Sequence, residues 1–447
     1  MNDKLPERYQ VSRRTFSRRA VQSASLALAG MSSFPTLEAA QAAAKPLQKA
    51  PPVLPPDDDA FLEQLEKANF QFFWEQADPE SGLVKDRCHV RANDNGIVAS
   101  IAATGFGLTA LCIGQTRGYV SYQDARNRVL VTLRFLWKVM HNQRGFFYHF
   151  AHIKTGERMW DSEISSIDTA ILLCGVLTCR QHFRHEEISR LSYDIFNRVE
   201  WTWLSEDTSL LPHGWAPEVG FLPYRWDYYS ELMMMYLLGL GSSSHPLPLQ
   251  AWNSWKRTTF EYDGLRYIGA YAPLFVHQYS HAWFDLRGKR DKFANYFQNS
   301  MIATEVHRRF CLELNKQFPD YNDDLWGITA SDSVNGYVVW GGPPQMGPID
   351  GTVVPSAPAG SLTFMPQATL RVLKNMKNRY GDRCWCRYGF VNAFNPLKNW
   401  YDTDVVGIDT GITMMMAENL RTGFVWSTFM KNREAQKGLE RAGFTAA

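Results

Sequence analysis

Hydrophobic residues at steps of three and four positions dominate this chain, and they limit the choice of fold class more than any other feature. Phe61, Leu65, Ala68 and Phe72 recur at the spacing that places side chains on one face of an α-helix. Strand-like alternation is short and rare, and residues 337–340 are its best example. The sequence therefore predicts an all-α chain. The same periodicity predicts further helices at residues 100–116, 122–140, 162–183, 187–204, 228–239, 249–258, 273–286, 289–315, 366–380 and 409–420.

Long loops rich in Gly, Pro, Asp and Trp separate the predicted helices. The two most prominent cover residues 212–226 and 330–366. Long structured loops in a helical protein usually line a binding site, because a rigid scaffold holds them at the surface. No short repeat of the kind that builds solenoids is present in the sequence. A ring of helical hairpins, with inner helices around a cleft, fits this pattern, and a solenoid is the structural alternative.

The first residues have the layout of an export signal. Two arginines, Arg13 and Arg14, precede an apolar stretch at residues 20–34, which is too short to anchor the chain in a bilayer. Residues 40–42 offer small side chains at a cleavage site. We therefore predict a twin-arginine signal at residues 1–42 and a periplasmic mature protein without a membrane anchor. The alternative is a basic tail beside a short helix.

The rest of the chain has the composition of a globular protein. Residues 43–59 are rich in proline and end in aspartates, so they are predicted to be a linker, and residues 60–447 a single catalytic domain. The formal charge of +2 excludes the strongly basic surface typical of nucleic-acid binding. The 7 cysteines are too sparse for a disulfide framework, and most are predicted to be buried as small hydrophobic side chains.

Glu231 stands out because it is an acid within an otherwise apolar segment, residues 228–239. If this segment is an inner helix, the carboxyl group is buried, and desolvation favours its protonated form. A carboxylic acid that stays protonated near neutral pH is suited to general acid catalysis. Glu231 is therefore the candidate general acid. The alternative is a Glu in the first turn of a helix, where the helix dipole stabilises negative charge.

Asp161, Glu163 and Asp168 form a second acidic segment. In the helix predicted for this region, Asp161, Ser165 and Asp168 share one face, because their spacings are four and seven. Two carboxylates and a hydroxyl on one face are suited to sugar hydroxyls or to a polarised water. Glu163 lies off that face, but close to a helix start it can still point into the cleft. The alternative is helix capping, with Ser162 as the cap.

His277 and His281 are four residues apart, and Asp285 follows after another four. Two histidines at this spacing can hold zinc, with Asp285 as a third ligand. The full metalloprotease motif is missing because no Glu follows His277, so we predict no metal. The remaining hypotheses are that both histidines bind sugar hydroxyls or that both are structural.

Taken together and in order, ten short motifs resemble the bacterial proteins described as glucoamylase-like. The characterised members of that group form glycoside hydrolase family 144 and act on β-1,2-glucan and sophorose-type substrates. The resemblance runs from about Phe61 to Met430. The matching segments are residues 81–87, 104–108, 145–149, 163–170, 229–231, 241–246, 273–281, 350–352, 388–390 and 418–419.

The resemblance implies an (α/α)6 barrel and an inverting mechanism. It aligns Glu231 with the inner-helix acid expected to be the proton donor, and it places Glu163 and Asp168 in the acidic motif of the family. The sequence departs from the family pattern at two loop positions. Ser243-Ser244 stands where Pro-Thr is common, and Asn392 where Asp is common. Either change could alter the number of sugar subsites or the linkage preferred.

The sequence therefore predicts a glycoside hydrolase that cleaves β-1,2-linked glucan with inversion and without a cofactor. Glu231 would protonate the glycosidic oxygen, and a carboxylate from residues 161–168 would activate water. Arg87, His277 and His281 are predicted to bind sugar hydroxyls. The loop aromatics predicted to lie beside sugar rings are Trp215, Tyr224, Trp226, Trp340 and Trp400.

Three other functions remain open at the level of the sequence. The first is a transglycosylase, or a hydrolase of another glucan linkage, on the same barrel. The second is a periplasmic protein that binds glucan without cleaving it. The third is a metal-dependent lyase or hydrolase that uses His277, His281 and Asp285.

Overall fold

The computed structural model describes residues 53–206, 208–270, 273–344 and 346–447. The predicted export signal, residues 1–42, lies outside these residues. The α-helices are α1 (Pro56–Glu75), α2 (Ile101–Thr116), α3 (Tyr122–Lys138), α4 (Ser166–Phe183), α5 (Glu186–Asn197), α6 (Trp201–Ser205), α7 (Met233–Gly241), α8 (Ala251–Ser254), α9 (Tyr279–Trp283), α10 (Tyr296–Glu313), α11 (Ser356–Ala359), α12 (Pro366–Tyr380), α13 (Gly407–Arg421), α14 (Phe424–Phe429) and α15 (Arg433–Arg441).

Short 3-10 helices and strands lie in the connections. The 3-10 helices are Leu274–His277, Leu314–Lys316 and Gly381–Arg383. The strands are β1 (Arg87–His89), β2 (Val98–Ser100), β3 (Asn142–Gln143), β4 (Phe146–Phe147), β5 (Phe150–His152), β6 (Ile164–Ser165), β7 (Gly214–Ala216), β8 (Gly220–Phe221), β9 (Thr259–Tyr262), β10 (Leu265–Ile268), β11 (Lys289–Arg290), β12 (Trp385–Cys386), β13 (Gly389–Phe390), β14 (Phe394–Asn395), β15 (Trp400–Tyr401), β16 (Asp404–Val406) and β17 (Thr445–Ala446).

The most apolar helices pack side by side and close a ring. Helix α2 packs on α4, α4 on α7, and α7 on α9, while α13 packs on α9, α11 and α2. These helices are buried around most of their circumference, and every residue of α7 is buried. Amphipathic helices such as α3, α5 and α12 cover the ring from outside. The result is a helical barrel with one hydrophobic core from Phe61 to Ala442.

Glycines allow two of the inner helices to approach closely. A Cβ atom on Gly175 of α4 would lie 2.1 Å from the carbonyl oxygen of Gly105 in α2, and a Cβ atom on Gly105 would lie 2.6 Å from the carbonyl oxygen of Ile171. Any larger side chain at these positions would push the two helices apart. The glycine-rich segment of α2 therefore serves helix packing.

Short strands hold the beginnings of the inner helices at one end of the barrel. Strand β2, directly before α2, pairs with β5, strand β6, directly before α4, pairs with β7, and β16, directly before α13, pairs with β1. The Gly407 N–H donates to the Asp86 carbonyl at 2.8 Å, and the Ile101 N–H donates to the His149 carbonyl at 3.2 Å. The loops that carry polar residues therefore meet where the inner helices start. We call this end the rim.

Several predicted boundaries are wrong. Helix α1 begins at Pro56, so the last four residues of the predicted linker are helical, with three aspartates in the first turn. The helix predicted at 187–204 is two helices, because the Glu200 N–H turns away to bond the Arg144 carbonyl. Residues 337–340 form no strand, and only a bridge between Ser331 and Val338 is present there.

Two further findings concern burial and membranes. All cysteines are free, and all except Cys386 are buried, which confirms the prediction that most of them fill the core. Among the helices of the described residues, none combines the length and the hydrophobicity that a membrane span needs.

Candidate active site

Glu231 lies at the rim, in the turn that precedes α7. The prediction that it lies inside a helix is wrong by two residues, because the Tyr229 N–H bonds the Lys256 carbonyl and delays the helix start. Ser280 of α9 fixes the turn: its hydroxyl donates to the Glu231 carbonyl at 2.8 Å and accepts from the Met234 N–H at 3.0 Å. The Glu231 residue is only 3% exposed. Its environment is therefore largely desolvated, as the sequence predicts.

A second acidic group forms around His149, directly beside the start of α4. The Nδ1 atom of His149 lies 3.4 Å from Glu163 Oε1, and its Nε2 atom lies 3.5 Å from Asp168 Oδ2. The Ser165 hydroxyl donates to Asp168 Oδ2 at 2.6 Å. The imidazole ring also stacks on Phe150, with 3.9 Å between ring centroids. Glu163 and Asp168 therefore converge on one histidine that the sequence analysis missed.

The predicted helical face of Asp161, Ser165 and Asp168 does not exist. Ile164 and Ser165 form strand β6, and α4 starts only at Ser166, with Ser165 as its cap instead of Ser162. Asp161 is exposed and has a φ of 49°, and its carbonyl accepts a hydrogen bond from Arg158 at 2.8 Å. Pairing of β6 with β7 overrides the local helical periodicity, so Asp161 is separated from the group around His149.

Arg87 lies at the rim among several carboxylates, in strand β1. Its Nη1 atom is 2.5 Å from Asp332 Oδ2 and 3.4 Å from Asp404 Oδ2, and its Nε atom is 3.2 Å from Asp86 Oδ2. These neighbours raise the pKa of the guanidinium although burial opposes its charge. Arg87 is a charged member of the site that the sequence selected, and its four nearest acids were not selected there.

Asp402 completes this acidic group. Oxygens of Asp332, Asp402 and Asp404 lie within 4.8 Å of one another, an arrangement that could hold a metal ion. Burial, followed by repulsion from Asp332 and Asp404, raises the pKa of Asp402 to about 7. Arg87 already places a cation against two of the three carboxylates, so the group carries its own counter-charge.

Asp409, in the first turn of α13, is another acid with a raised pKa. Burial is the main cause and raises this pKa to about 7, whereas a hydrogen bond from Asn392 and attraction to Arg87 lower it. The Asn392 Nδ2 atom donates to Asp409 Oδ2 at 2.6 Å. A carboxyl group with a pKa near neutrality can accept or donate a proton at physiological pH.

The two histidines of the 277–281 segment are core residues. His281 has 0% exposure, lies between Phe297 and Phe364, and shares a hydrogen bond with Ser300 at 3.1 Å. Burial lowers the pKa values of His277 and His281 to about 3. We therefore correct the prediction that His281 binds a sugar hydroxyl, because no part of its ring reaches the cleft.

His277 and Asp285 are occupied in the same way. His277 is 6% exposed and shares a hydrogen bond with the Tyr229 hydroxyl at 3.1 Å. Asp285 pairs with Arg287 at 2.8 Å. The structure therefore does not gather His277, His281 and Asp285 into the metal site that was weighed as an alternative.

The predicted loop aromatics fall into two groups. Trp226 and Trp340 are 8% and 5% exposed. Trp226 donates to the Ser166 hydroxyl and Trp340 to the Ser331 hydroxyl, both at 2.9 Å. These two rings hold loops in place, which corrects the prediction that they lie beside sugars. Trp215, Tyr224 and Trp400 keep part of their surface accessible and remain candidates for sugar contact.

Comparison with known proteins agrees with this architecture. A family model described as "Putative glucoamylase" matches residues 223–433. An exo β-1,2-glucooligosaccharide sophorohydrolase of Parabacteroides distasonis is 28% identical over 426 residues, which cover 87% of this chain. The chain spans only 58% of the length of that relative.

Two solved structures cover almost the same part of the chain. An endo-β-1,2-glucanase from Chitinophaga pinensis, solved with sophorotriose and glucose, superposes with a TM-score of 0.82 at 27% identity, covering 88% of this chain and 99% of that one. A protein from Bacteroides uniformis described as a putative glucoamylase gives a TM-score of 0.81 at 29% identity, with the same coverage. The chain therefore belongs to the glucoamylase-like β-1,2-glucanase family, glycoside hydrolase family 144.

Proposed function

We propose that this protein is a glycoside hydrolase that cleaves β-1,2-linked glucan or its oligosaccharides by inversion. The observation that carries the proposal is the placement of two buried carboxyl groups at the rim, Glu231 before α7 and Asp409 at the start of α13. The substrate class follows from the relatives, which are named as enzymes acting on β-1,2-glucan and β-1,2-glucooligosaccharides. No cofactor is part of the proposed reaction.

The proposal includes a barrel of the (α/α)6 type. Its inner helices would be α2, α4, α7, α9, α11 and α13, and its outer helices α1, α3, α5, α15, α10 and α12, each packed against the inner ring or the segment beside it. In this order α7 lies between α4 and α9, whereas α13 lies between α11 and α2. The starts of α7 and α13 are therefore on opposite sides of the cleft.

This arrangement assigns the two roles of an inverting mechanism. The acid and the base must approach the sugar from opposite faces, at a separation of roughly 6.5–9.5 Å that leaves room for water. Glu231, largely desolvated, would protonate the glycosidic oxygen. Asp409, from the opposite wall, would remove a proton from the attacking water, directly or through a sugar hydroxyl. Its pKa of about 7 suits a base near neutral pH.

Glu163 and Asp168 are the alternative source of the base. They stand beside α4, which neighbours α7 in the ring, so they approach the substrate from the side next to Glu231. In our proposal they hold His149 and bind sugar hydroxyls. Arg87, Trp215, Tyr224 and Trp400 would complete the substrate contacts. Transglycosylation, cleavage of another linkage and binding without turnover remain the competing functions.

Export to the periplasm by the twin-arginine pathway is part of the same proposal. Arg13 and Arg14, with the apolar stretch after them, support it. A periplasmic location would bring the enzyme to glucans outside the cytoplasm.

The experiment is product analysis with linear β-1,2-glucan. Wild type should release short β-1,2-linked oligosaccharides, and NMR of the first products should show inverted anomeric configuration. Glu231→Gln and Asp409→Asn should each lower kcat by about 10²- to 10⁴-fold, the range for loss of a general acid or base. Asp194→Asn, a substitution on the outer helix α5, is the matched control and should leave kcat unchanged.

Each other result has a defined meaning. A fully active Asp409→Asn variant would move the base to Glu163 or Asp168, which Glu163→Gln and Asp168→Asn then separate. Retained anomeric configuration would exclude inversion. Binding of glucan without any product would favour the non-catalytic function.

A further inference from the structure

Asn392 connects Asp409 with the acidic group around Arg87. Its Nδ2 atom donates to Asp409 Oδ2 at 2.6 Å, and its Oδ1 atom accepts from the Asp332 N–H at 2.8 Å. Its own N–H donates to the Asp404 carbonyl at 2.9 Å. The residue is 5% exposed. Asn392 is therefore held at three points, two of them through its side chain.

These contacts fix the orientation of the Asn392 amide. If the amide were flipped, its oxygen would face the Asp409 carboxylate and its NH2 group would face the Asp332 N–H. Both contacts would then be repulsive. The amide can therefore present only its NH2 group to Asp409, and a donor at this position stabilises the ionised form of the carboxylate.

The groups that face Asp409 come from four segments. Asn392 and the attraction of Arg87 favour its ionised form, as does the nearby Ser356 hydroxyl, whereas Asp332 and burial oppose ionisation. Asp409 and Asn392 also line a small cavity together with Asn69, Ser356, Phe390 and Thr413. The donor of Asn392 is the nearest of the stabilising groups whose hydrogen bond the structure resolves.

We infer that Asn392 is the positioning residue of Asp409, which orients its carboxylate and keeps it available as a base at lower pH than an acid at position 392 would. This inference rests on the proposed role of Asp409 and deepens it. Position 392 is also one of the two at which this sequence departs from the pattern it resembles. With Asp at 392, two carboxyl groups at hydrogen-bond distance would share one proton, and Asp409 would lose it only at higher pH.

The test measures pH profiles of the full chain with Asn392→Asp. The acidic limb of kcat/KM should move to higher pH by about one unit or more, which is a tenfold loss for each unit on that limb. Activity should recover toward that of wild type at alkaline pH. Asn399→Asp is the control, because it adds the same charge at an exposed position of the same loop and should leave the limb in place.

A second readout does not depend on activity. The shared proton raises the pKa of the pair in the folded state above its value in the unfolded chain. Folded Asn392→Asp therefore binds more protons, and its Tm should fall more steeply than that of wild type as pH rises from 5 to 8. Adding Asp409→Asn should abolish this extra slope. Asn392→Ala, which only removes the donor, should shift the limb in the same direction and by less.

The outcomes separate this inference from the proposed function. An unmoved acidic limb in folded Asn392→Asp, with a Tm slope like that of wild type, would overturn the role of Asn392. If wild type cleaves no glucan, the proposed function fails, and the Tm slopes still decide whether Asn392 controls the ionisation of Asp409. If both Asn392 variants fail to fold at every pH, Asn392 is a structural residue and the inference is wrong.

Discussion

Two clusters of charges lie at opposite ends of the same pair of inner helices, α2 and α13. The rim cluster, at their starts, consists of Arg87, Asp86, Asp332, Asp402 and Asp404. The basal cluster, at their ends, consists of Arg117, Arg421, Asp59, Glu63, Glu66 and Glu418. A helix of 16 residues separates them by roughly 24 Å.

The basal cluster has two arginines for four acids. Arg421 binds Asp59, Glu63 and Glu66 of α1 at 2.7 to 2.8 Å, and Arg117 binds Glu418 at 2.7 Å. Glu66 and Glu418 are 0% and 1% exposed. Bonds from two arginines to three helices tie α1, α2 and α13 together. The basal cluster is therefore a structural device of the barrel.

The rim cluster has one arginine for four acids, and Asp402 Oδ2 is buried without a hydrogen-bond partner among the described residues. Its charge is unbalanced, which is why the pKa of Asp402 reaches about 7. An arrangement that costs folding free energy is typical of functional sites. The difference teaches that balance of charge, more than burial, separates the structural from the functional cluster.

The largest expected effect lies at the basal cluster. Arg421→Met leaves Glu66 buried without its closest cation, so the free energy of unfolding should fall by about 3–5 kcal/mol. Activity per folded molecule should stay at the level of wild type, because the rim is a helix length away. Urea unfolding and kcat/KM at low temperature measure both. Arg371→Met, at an exposed ion pair, is the control for loss of an arginine.

Burial of Glu66 raises its pKa against the pull of Arg421 and Arg117. Without Arg421 this pKa should rise further, so the stability deficit of Arg421→Met should shrink as the pH falls toward the range in which Glu66 is protonated. Unchanged stability at neutral pH, or a loss of kcat/KM equal to the loss at the rim, would break the contrast between the clusters.

The clusters also show what the sequence could predict. The helices were recognisable because apolar spacing is local, and Glu231 and Asp168 were recognisable as acids in apolar or acidic segments. The rim cluster was not, because Arg87, Asp332 and Asp404 meet only through the pairing of β1 with β16 and through the loop at 330–340. Sequence periodicity carries no information on such distant pairings.

Errors at the site have the same origin. The start of α4 was placed too early because strand β6 pairs with a loop about 50 residues away, an interaction that overrides helix propensity. His281 was taken for a polar contact because its spacing from His277 suits a ligand, yet it faces the core. Asp409 carried a weak signal, an acid in the first turn of an apolar helix, which is also the place for a residue that only complements the helix dipole.

An intermediate effect is expected for Arg87→Met. Removing the single cation leaves Asp332, Asp402 and Asp404 in mutual repulsion, so their pKa values should rise and stability should fall more at pH 8 than at pH 5. We expect kcat/KM to fall by about 10²-fold or more, because a charged contact at the site is lost. Thermal unfolding at both pH values and kinetics on β-1,2-glucan measure this. A deficit independent of pH would contradict an electrostatic role.

The smallest effect, and the sharpest for the comparison, is expected for Asp402→Asn. In wild type the pKa of Asp402 is about 7 in the folded protein and near 3.8 in the unfolded chain. The folded state therefore binds more protons, and this contribution to stability is complete below about pH 4 and is lost as the pH rises through 7. The Asn side chain keeps its Oδ1 bonds to the N–H groups of Thr403 and Asp404, and it carries no charge at any pH.

Asp402→Asn should consequently be more stable than wild type at pH 8 and equal to it at pH 4, with a flatter dependence of Tm on pH. At the basal cluster, Glu418→Gln gives the matched comparison, and it should destabilise at pH 8 because Glu418 holds Arg117 at 2.7 Å. Opposite signs for the two variants would establish that the rim cluster opposes folding whereas the basal cluster supports it. Destabilisation by both at pH 8 would show that Asp402 is a structural acid after all, and that the unequal count of charges does not mark the site.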